Sequence, residues 1–292
     1  MRTEQNRTVL IIISIILVLV SYVWGIASYK YKLFPFPVLR DIKIHLLHQE
    51  NDRRSTFSDT SIKTRVVCED VVDKKTMVAL VFGQSNSANH GGAKYESKQE
   101  VFNFFEGSCY KASGPLLGAT GSDGNPWSRF GDKVIANNLY ERVLLVPIAF
   151  GGSEIKRWDV GGDLHHRIAD VIKYLKAKNI EVTHMLWHQG ETDAKLRTSK
   201  KEYKERFLSM LLKIREYGAE APIYVAVATR CAGRGVSLEI QSAQSELVNL
   251  KKRIYAGPNT DNIDLVGDRY DGCHFSEIGL DKHADKWLKS IQ

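Results

Sequence analysis

The chain has 292 residues, 43% of them hydrophobic, and a formal net charge of +7. Its Lys and Arg residues form no basic block and no aromatic-interleaved stripe. This excludes nucleic acid as the expected partner and leaves an anionic polymer, an anionic membrane surface or an ordinary basic exterior as the meaning of the charge. Cys68, Cys109, Cys231 and Cys273 lack the paired spacing of a zinc site, so neither a metal nor another cofactor is expected.

The first element is the uncharged run TVLIIISIILVLVSYVWGIA from Thr8 to Ala27. Twenty residues in a helix rising about 1.5 Å each span the roughly 30 Å of a bilayer core. Tyr22 and Trp24 suit the interface near one end. A cleaved signal peptide is the competing reading, but its apolar stretch would exceed the usual ~7–15 residues. Residues 1–28 are therefore expected to be a single-pass membrane anchor. Arg2 and Arg7 precede the span, offset by Glu4, and Lys30, Lys32, Arg40 and Lys43 follow it. Counted alone, those charges favour keeping the following domain inside. A long C-terminal domain translocates largely regardless of charge, so the expected side is periplasmic or extracellular. Four cysteines in an exported domain allow up to two disulfides in any of three connectivities, with buried free thiols as the alternative.

Residues 29–75 are polar and mixed, as in a stalk or peripheral lead-in, and residues 76–292 suffice for one single-core domain. MVALVF (77–82), RVLLVPIAF (142–150), HMLWH (184–188), IYVAVAT (223–229) and IDLV (263–266) are continuous apolar runs, as strands buried on both faces must be. Amphipathic helical patterns cover 128–140, 163–179, 199–218, 237–257 and 276–291, with Ser237 and Ser276 at N-cap positions. Five strand–helix repeats predict a parallel sheet with helices on both faces and right-handed crossovers. Binding groups in such sheets lie beyond the carboxyl ends of the strands.

Chemistry-bearing residues fall at those ends. Gly83-Gln84-Ser85-Asn86 follows the first strand, putting a hydroxyl on a tight turn with the Ser85 amide free to donate. Gly151-Gly152-Ser153 follows the second and offers a further N–H. Trp187-His188-Gln189-Gly190-Glu191-Thr192-Asp193 closes the third; the Gln189 amide is a possible donor, and Glu191 and Asp193 are acceptors able to orient neighbours. Asp271-Gly272-Cys273-His274 precedes the last helix, a spacing that lets the carboxylate hold one imidazole nitrogen while the other faces a nucleophile. Trp158, Glu191 and Arg230 are candidates for substrate contact, with core packing the alternative for Trp158 and a structural ion pair for Arg230. His165, His166, His188 and His283 read as surface or packing histidines.

The order Ser, Gly, Gln, Asp-x-x-His resembles the SGNH hydrolase superfamily. It is most similar to the branch of sialate O-acetylesterases and acetyl xylan esterases, through GQSN at 83–86, QGE at 189–191 with Asp193, and D-x-x-H at 271–274. The resemblance spans roughly residues 76–290 and departs at Ser87, where many relatives carry Met. It implies a flavodoxin-like three-layer α/β fold with a five-stranded parallel sheet in order 2-1-3-4-5. It implies Ser85 as nucleophile, His274 as base and Asp271 as its orienter, with the Ser85 amide, Gly152 and Gln189 as oxyanion hole. The expected activity is removal of O-acetyl groups from a carbohydrate. The alternatives are an O-acyltransferase using the same triad and a membrane-tethered carbohydrate-binding module.

Overall fold

The computed structural model describes residues 2–31, 34–35, 56–231, 233 and 235–292. They fall into two units, Met1–Arg54 and Ser55–Gln292. In the first, helix α1 (Arg2–Tyr31) contains the window Ile11–Ser28, the one stretch among the described residues long and apolar enough to cross a membrane. Its exposed Ile, Leu and Val side chains present apolar surface, which water does not favour. Residues 32–33 and 36–55 of the expected lead-in, with Lys32, Arg40 and Lys43, lie outside the described residues.

The second unit is built on β2 (Thr76–Gly83), every residue of which is buried. It pairs in parallel with β5 (Arg142–Pro147) on one side and β6 (His184–His188) on the other. Strands β7 (Ile223–Val227) and β8 (Ile254–Asn259) continue the parallel sheet beyond β6. The central order β5-β2-β6-β7-β8 is the expected 2-1-3-4-5, but the sheet is not the five-stranded parallel one expected. Among the described residues it has eight strands and is mixed. β3 (Val101–Phe105) adds in parallel to β5, β4 (Ser108–Lys111) turns back antiparallel, and β1 (Arg65–Val66) closes that edge. The β3–β4 turn uses Glu106 (φ 45°) and Gly107 (φ 77°), the two positive φ values of a two-residue hairpin loop.

The fifth parallel strand is also displaced from its expected position at 263–266. The helix expected over 237–257 ends early: α8 spans Leu238–Glu246. A 3₁₀ turn at Leu250–Lys252 stops at Arg253, whose φ of 52° breaks the helical direction and launches β8. Ile263 is buried, but Leu265 and Val266 stand exposed on a loop.

Helices α3 (Trp127–Ala136) and α9 (Glu277–Ile291) pack on one face of the sheet around Trp127, Phe130 and Trp287. α5 (His165–Ala177), α7 (Lys200–Glu216) and α8 cover the other with Phe82, Trp158, Trp187 and Phe207. Ser199, Ser237 and Ser276 each accept a backbone N–H as N-caps. Residues 56–75 belong to this unit: Phe57 N donates to Ala119 O at 2.9 Å, and Cys68 in the short helix α2 (Cys68–Val71) is disulfide-bonded to Cys109 on β4. The second disulfide joins Cys231 to Cys273.

Where β2 leaves the sheet, Gly83 has φ +128°, and a Cβ there would sit 2.0 Å from the His188 carbonyl oxygen of β6. Only glycine lets the two strands remain paired to their ends. Gly83→Ala is expected to destabilise the protein by roughly 3 kcal/mol or more, seen as a lowered denaturant midpoint of the purified full-length chain.

Candidate active site

Four loops meet at the carboxyl ends of the parallel strands. After β2 the chain enters a 3₁₀ turn, Ser85–Ser87, closed by Ser87 N to Gln84 O (2.8 Å) and Ala88 N to Ser85 O (2.9 Å). Trp127 Nε1 donates to Ser87 O at 2.7 Å, and Ser87 Oγ donates to Phe82 O at 3.2 Å. The turn is thus held from the α3 side and from its own strand. Ser85 is 6% exposed. Its N–H and that of Gly152 donate to no protein acceptor among the described residues. Gly152 adopts φ +68° with open space where a Cβ would stand. Its turn is fixed by Gly151 N donating to Thr120 Oγ1 (2.8 Å) and Ser153 Oγ donating to Phe150 O (2.8 Å).

At the other end of the site, His274 Nδ1 lies 2.6 Å from Asp271 Oδ2. Asp271 Oδ1 accepts the backbone N–H groups of Cys273 (2.8 Å) and His274 (2.6 Å). Partial burial raises the Asp271 carboxyl pKa, but the hydrogen bonds from the imidazole and the two amides outweigh it and hold the group below its ordinary value. Asp271 is therefore a carboxylate that fixes which imidazole nitrogen carries the proton.

Asn86 joins the two halves. Its Nδ2 donates to Glu191 Oε1 at 2.8 Å and to Cys273 O at 3.2 Å. The residue beside Ser85 is thereby bonded to the residue beside His274. Arg269 supports the same loop, with Nη1 on Cys273 O, Nη2 on Thr260 O at 2.9 Å and Nε on Ile263 O at 2.9 Å. Its guanidinium lies 4.2 Å from the Phe275 ring centroid. Gly92 N donates to Phe275 O at 2.8 Å, closing the loop after Ser85 onto the loop bearing His274.

Several residues expected to touch substrate do other work. Trp158 is fully buried, packed edge-on against Phe82 and Trp187, with Nε1 donating to Ser153 Oγ at 2.8 Å. It is a core residue, not a sugar platform. Glu191 is 4% exposed and faces Asn86 rather than the mouth. The Arg230 guanidinium is occupied by Asp261 O (3.0 Å) and the Asp264 carboxylate (3.1 Å), clamping the loop after β7 to the loop after β8. Gln189 Nε2 donates to Ser153 O (3.0 Å) and to Asp193 Oδ2 (2.5 Å). Its two N–H bonds are committed to protein acceptors, so Gln189 braces the Gly152 turn where an oxyanion donor was expected. Asp193 also accepts Ile155 N at 2.9 Å, at the start of α4 (Ile155–Trp158).

Gln84, Asn86 and Arg269 carried no assigned role in the sequence reading. Gln84 Oε1 receives Thr192 N (3.1 Å) and Gly190 N (3.3 Å), with Gln189 Nε2 a longer contact at 3.4 Å. Its Nε2 has no protein acceptor among the described residues. The GQSN block contained the signal for Gln84 and Asn86; Arg269 stands in no motif.

Residues 75–287 match the profile of the family described as carbohydrate esterase, sialic acid-specific acetylesterase. No curated protein matches the sequence. Among solved structures, an Arabidopsis thaliana protein superposes with a TM-score of 0.60 at 19% identity, covering 74% of this chain and 96% of its own. A protein described as a GDSL-like lipase from Parabacteroides merdae gives 0.52 at 14% identity, with 75% and 97% covered. A carbohydrate acetylesterase from Xanthomonas citri gives 0.50 at 16% identity, with 74% of this chain and 55% of that chain covered. These likenesses are of fold.

Burial pushes the Glu191 carboxyl from its ordinary 4.5 up to about 7, against the opposing hydrogen bond from Asn86. A group that binds its proton more tightly when folded gives its full stability at acid pH. That contribution falls as pH rises from about 4.5 to about 7 and is gone above. Glu191→Gln removes the titration and is expected to flatten that decline by up to about 1.4 kcal/mol per pH unit. Urea midpoints of the two proteins between pH 4 and 8 test this; parallel profiles would contradict the buried neutral carboxyl.

Proposed function

The chain belongs to the carbohydrate esterase family of sialic acid-specific acetylesterases, and from that premise we propose that it removes O-acetyl groups from a carbohydrate through an acyl-Ser85 intermediate. It is a carboxylic ester hydrolase; the roles of individual residues are our reading of the site. His274 takes the Ser85 Oγ proton as Oγ bonds to the ester carbonyl carbon. Asp271, held as a carboxylate, keeps the acquired imidazolium in register. The carbonyl oxygen, now negative, is received by the Ser85 and Gly152 N–H groups. Gln84, whose Oε1 is held by two backbone donors and whose Nε2 is uncommitted, supplies the third donor in place of Gln189. Collapse breaks the bond to the sugar oxygen, which leaves with the proton from His274. A water molecule, deprotonated by His274, then attacks the acyl carbon, and Ser85 Oγ recovers its proton as acetate departs.

The observation that carries this reading is the Asp271–His274 contact of 2.6 Å on a loop bonded through Asn86 to the turn holding Ser85. Three groups distant in sequence are useful to one another only in such an arrangement.

In this reading α1 anchors the chain in a membrane, residues 76–292 with the packed segment 56–75 form the esterase domain, and that domain lies on the periplasmic or extracellular side. The two disulfides support the placement, because such bonds persist in oxidising compartments and are rare where thiols are kept reduced. Protease added to cells stripped of any outer membrane but with the inner membrane sealed is expected to remove the esterase domain; full protection would put it on the other side.

Ser85→Ala is expected to lower hydrolysis of p-nitrophenyl acetate by about 10⁴-fold or more while leaving the melting profile close to wild type. Wild-type turnover in the variant would overturn the assignment. Acetate released from a panel of O-acetylated polysaccharides then identifies the glycan.

A further inference from the structure

Tyr270 immediately precedes Asp271, and neither the fold nor the acyl-transfer steps use its side chain. It is 56% exposed, next to the loop residues Asp271 and His274. Its ring lies near-parallel to the His274 imidazole, with centroids 6.0 Å apart and planes at 25°. Two contacts fix it. Tyr270 Oη donates to His90 O at 3.1 Å. The ring edge rests against Gly92, where an added Cβ would meet Tyr270 Cδ1 at 3.3 Å. His90 also stacks near His274, at 5.7 Å and 26°, with its Nε2 3.1 Å from Thr120 Oγ1. Asp123 stands next to this group, its N–H donating to Asn89 O at 3.0 Å. An aromatic surface and polar groups therefore gather beside the His274 imidazole. The nearby guanidinium groups of Arg230 and Arg269 are turned to Asp264 and to backbone carbonyls.

Resting on the esterase reading above, we propose that Tyr270 is the platform for the sugar ring that bears the acetyl group, and that this ring is an uncharged pyranose. The apolar C–H face of a pyranose stacks on a tyrosine, while its hydroxyls find acceptors and donors in Asp123 and His90. The exposed carboxylate of Asp123 favours hydroxyl donors and repels an anionic sugar. Trp158, the aromatic residue whose position in the sequence suggested this role, is enclosed in the core. Tyr270 takes it from a loop that the last helix and Arg269 hold in place.

The test measures kcat/KM of the full-length protein in detergent for three probes: an O-acetylated methyl glycoside, the corresponding O-acetylated sialoside, and vinyl acetate, which has no ring to stack. The quantity read is the ratio of glycoside to vinyl acetate. In Tyr270→Ala this ratio is expected to fall about tenfold or more, the size of one lost stacking contact. Most of the fall should lie in KM. Tyr270→Phe, which keeps the ring and loses only the bond to His90 O, is expected to restore the ratio to within about twofold of wild type. The wild-type protein is expected to prefer the methyl glycoside over the sialoside. An unchanged ratio in Tyr270→Ala, or equal losses on both esters, would overturn the platform. A preference for the sialoside would overturn the uncharged ring. Neither result touches the esterase reading, which fails separately if Ser85→Ala still hydrolyses vinyl acetate.

Discussion

The arrangement depends above all on one side chain, the buried amide of Asn86. Ser85 sits on a turn rooted in β2, and His274 sits on a loop nearly 190 residues later that enters the last helix. Nothing in the parallel sheet itself fixes the distance between them, because loops at strand ends are the least determined part of an α/β fold. Asn86 Nδ2 closes the gap by donating to Cys273 O while also donating to Glu191 Oε1. A buried donor left without its acceptor costs about 1–3 kcal/mol. Any drift of the His274 loop therefore exposes that cost, so the polar contact acts as a positional restraint more than as a source of net stability. Glu191 completes the restraint by fixing the amide from the β6 side.

The two carboxyl groups nearest this network are driven in opposite directions by their surroundings. Glu191 lies among His188, Asn86 and the core, and burial raises its pKa toward neutrality. The same burial drives His188 down to about 3, so its imidazole is neutral and no charged bridge forms across the 4.0 Å to Glu191. Asp271, at the rim, receives an imidazole and two backbone amides and stays charged. The more firmly held charge is thus on the carboxylate that faces the His274 imidazole. A second full charge beneath the nucleophile turn would compete for the imidazolium and would cost desolvation without a partner.

The parts of the fold that were legible in the sequence are those where burial forces a simple pattern. β2, β5, β6 and β7 are enclosed on both faces, so their residues read as unbroken apolar runs. β8 was missed because it is the edge strand, only partly buried, with Gly257 and Pro258 in it. The apolar residues before it, Ile240, Ala243, Leu247 and Leu250, continue a helical spacing up to Ile254. The β3–β4 hairpin was hidden by Asn103, a buried amide that pairs with the Leu117 backbone at 2.7 and 3.2 Å and interrupts the hydrophobic run. At the site, Ser85, Asp271 and His274 could be found because each follows a strand or precedes a helix at the end where ligands bind. Trp158, Glu191 and Arg230 stand at the same end of the sheet, and sequence does not report whether a side chain there turns inward. Trp158 turns toward Ser153, Glu191 toward Asn86 and Arg230 toward Asp264.

The His274 loop combines high exposure with a demand for accuracy. Leu265, Val266 and Tyr270 are largely exposed, and apolar burial is confined to Ile263 and Phe275, which pack with Leu280. The rest of the conformation depends on discrete links: Arg269 on four carbonyls, Asn86 on Cys273 O, Ser276 as the cap of α9, and the Cys231–Cys273 bond to the loop after β7. Covalent and charge-assisted links keep geometry without covering surface, so the segment stays open to solvent while the imidazole stays in register. The openness that exposes Tyr270 and the network that immobilises His274 therefore coexist on one loop, rigid at its centre and accessible at its rim.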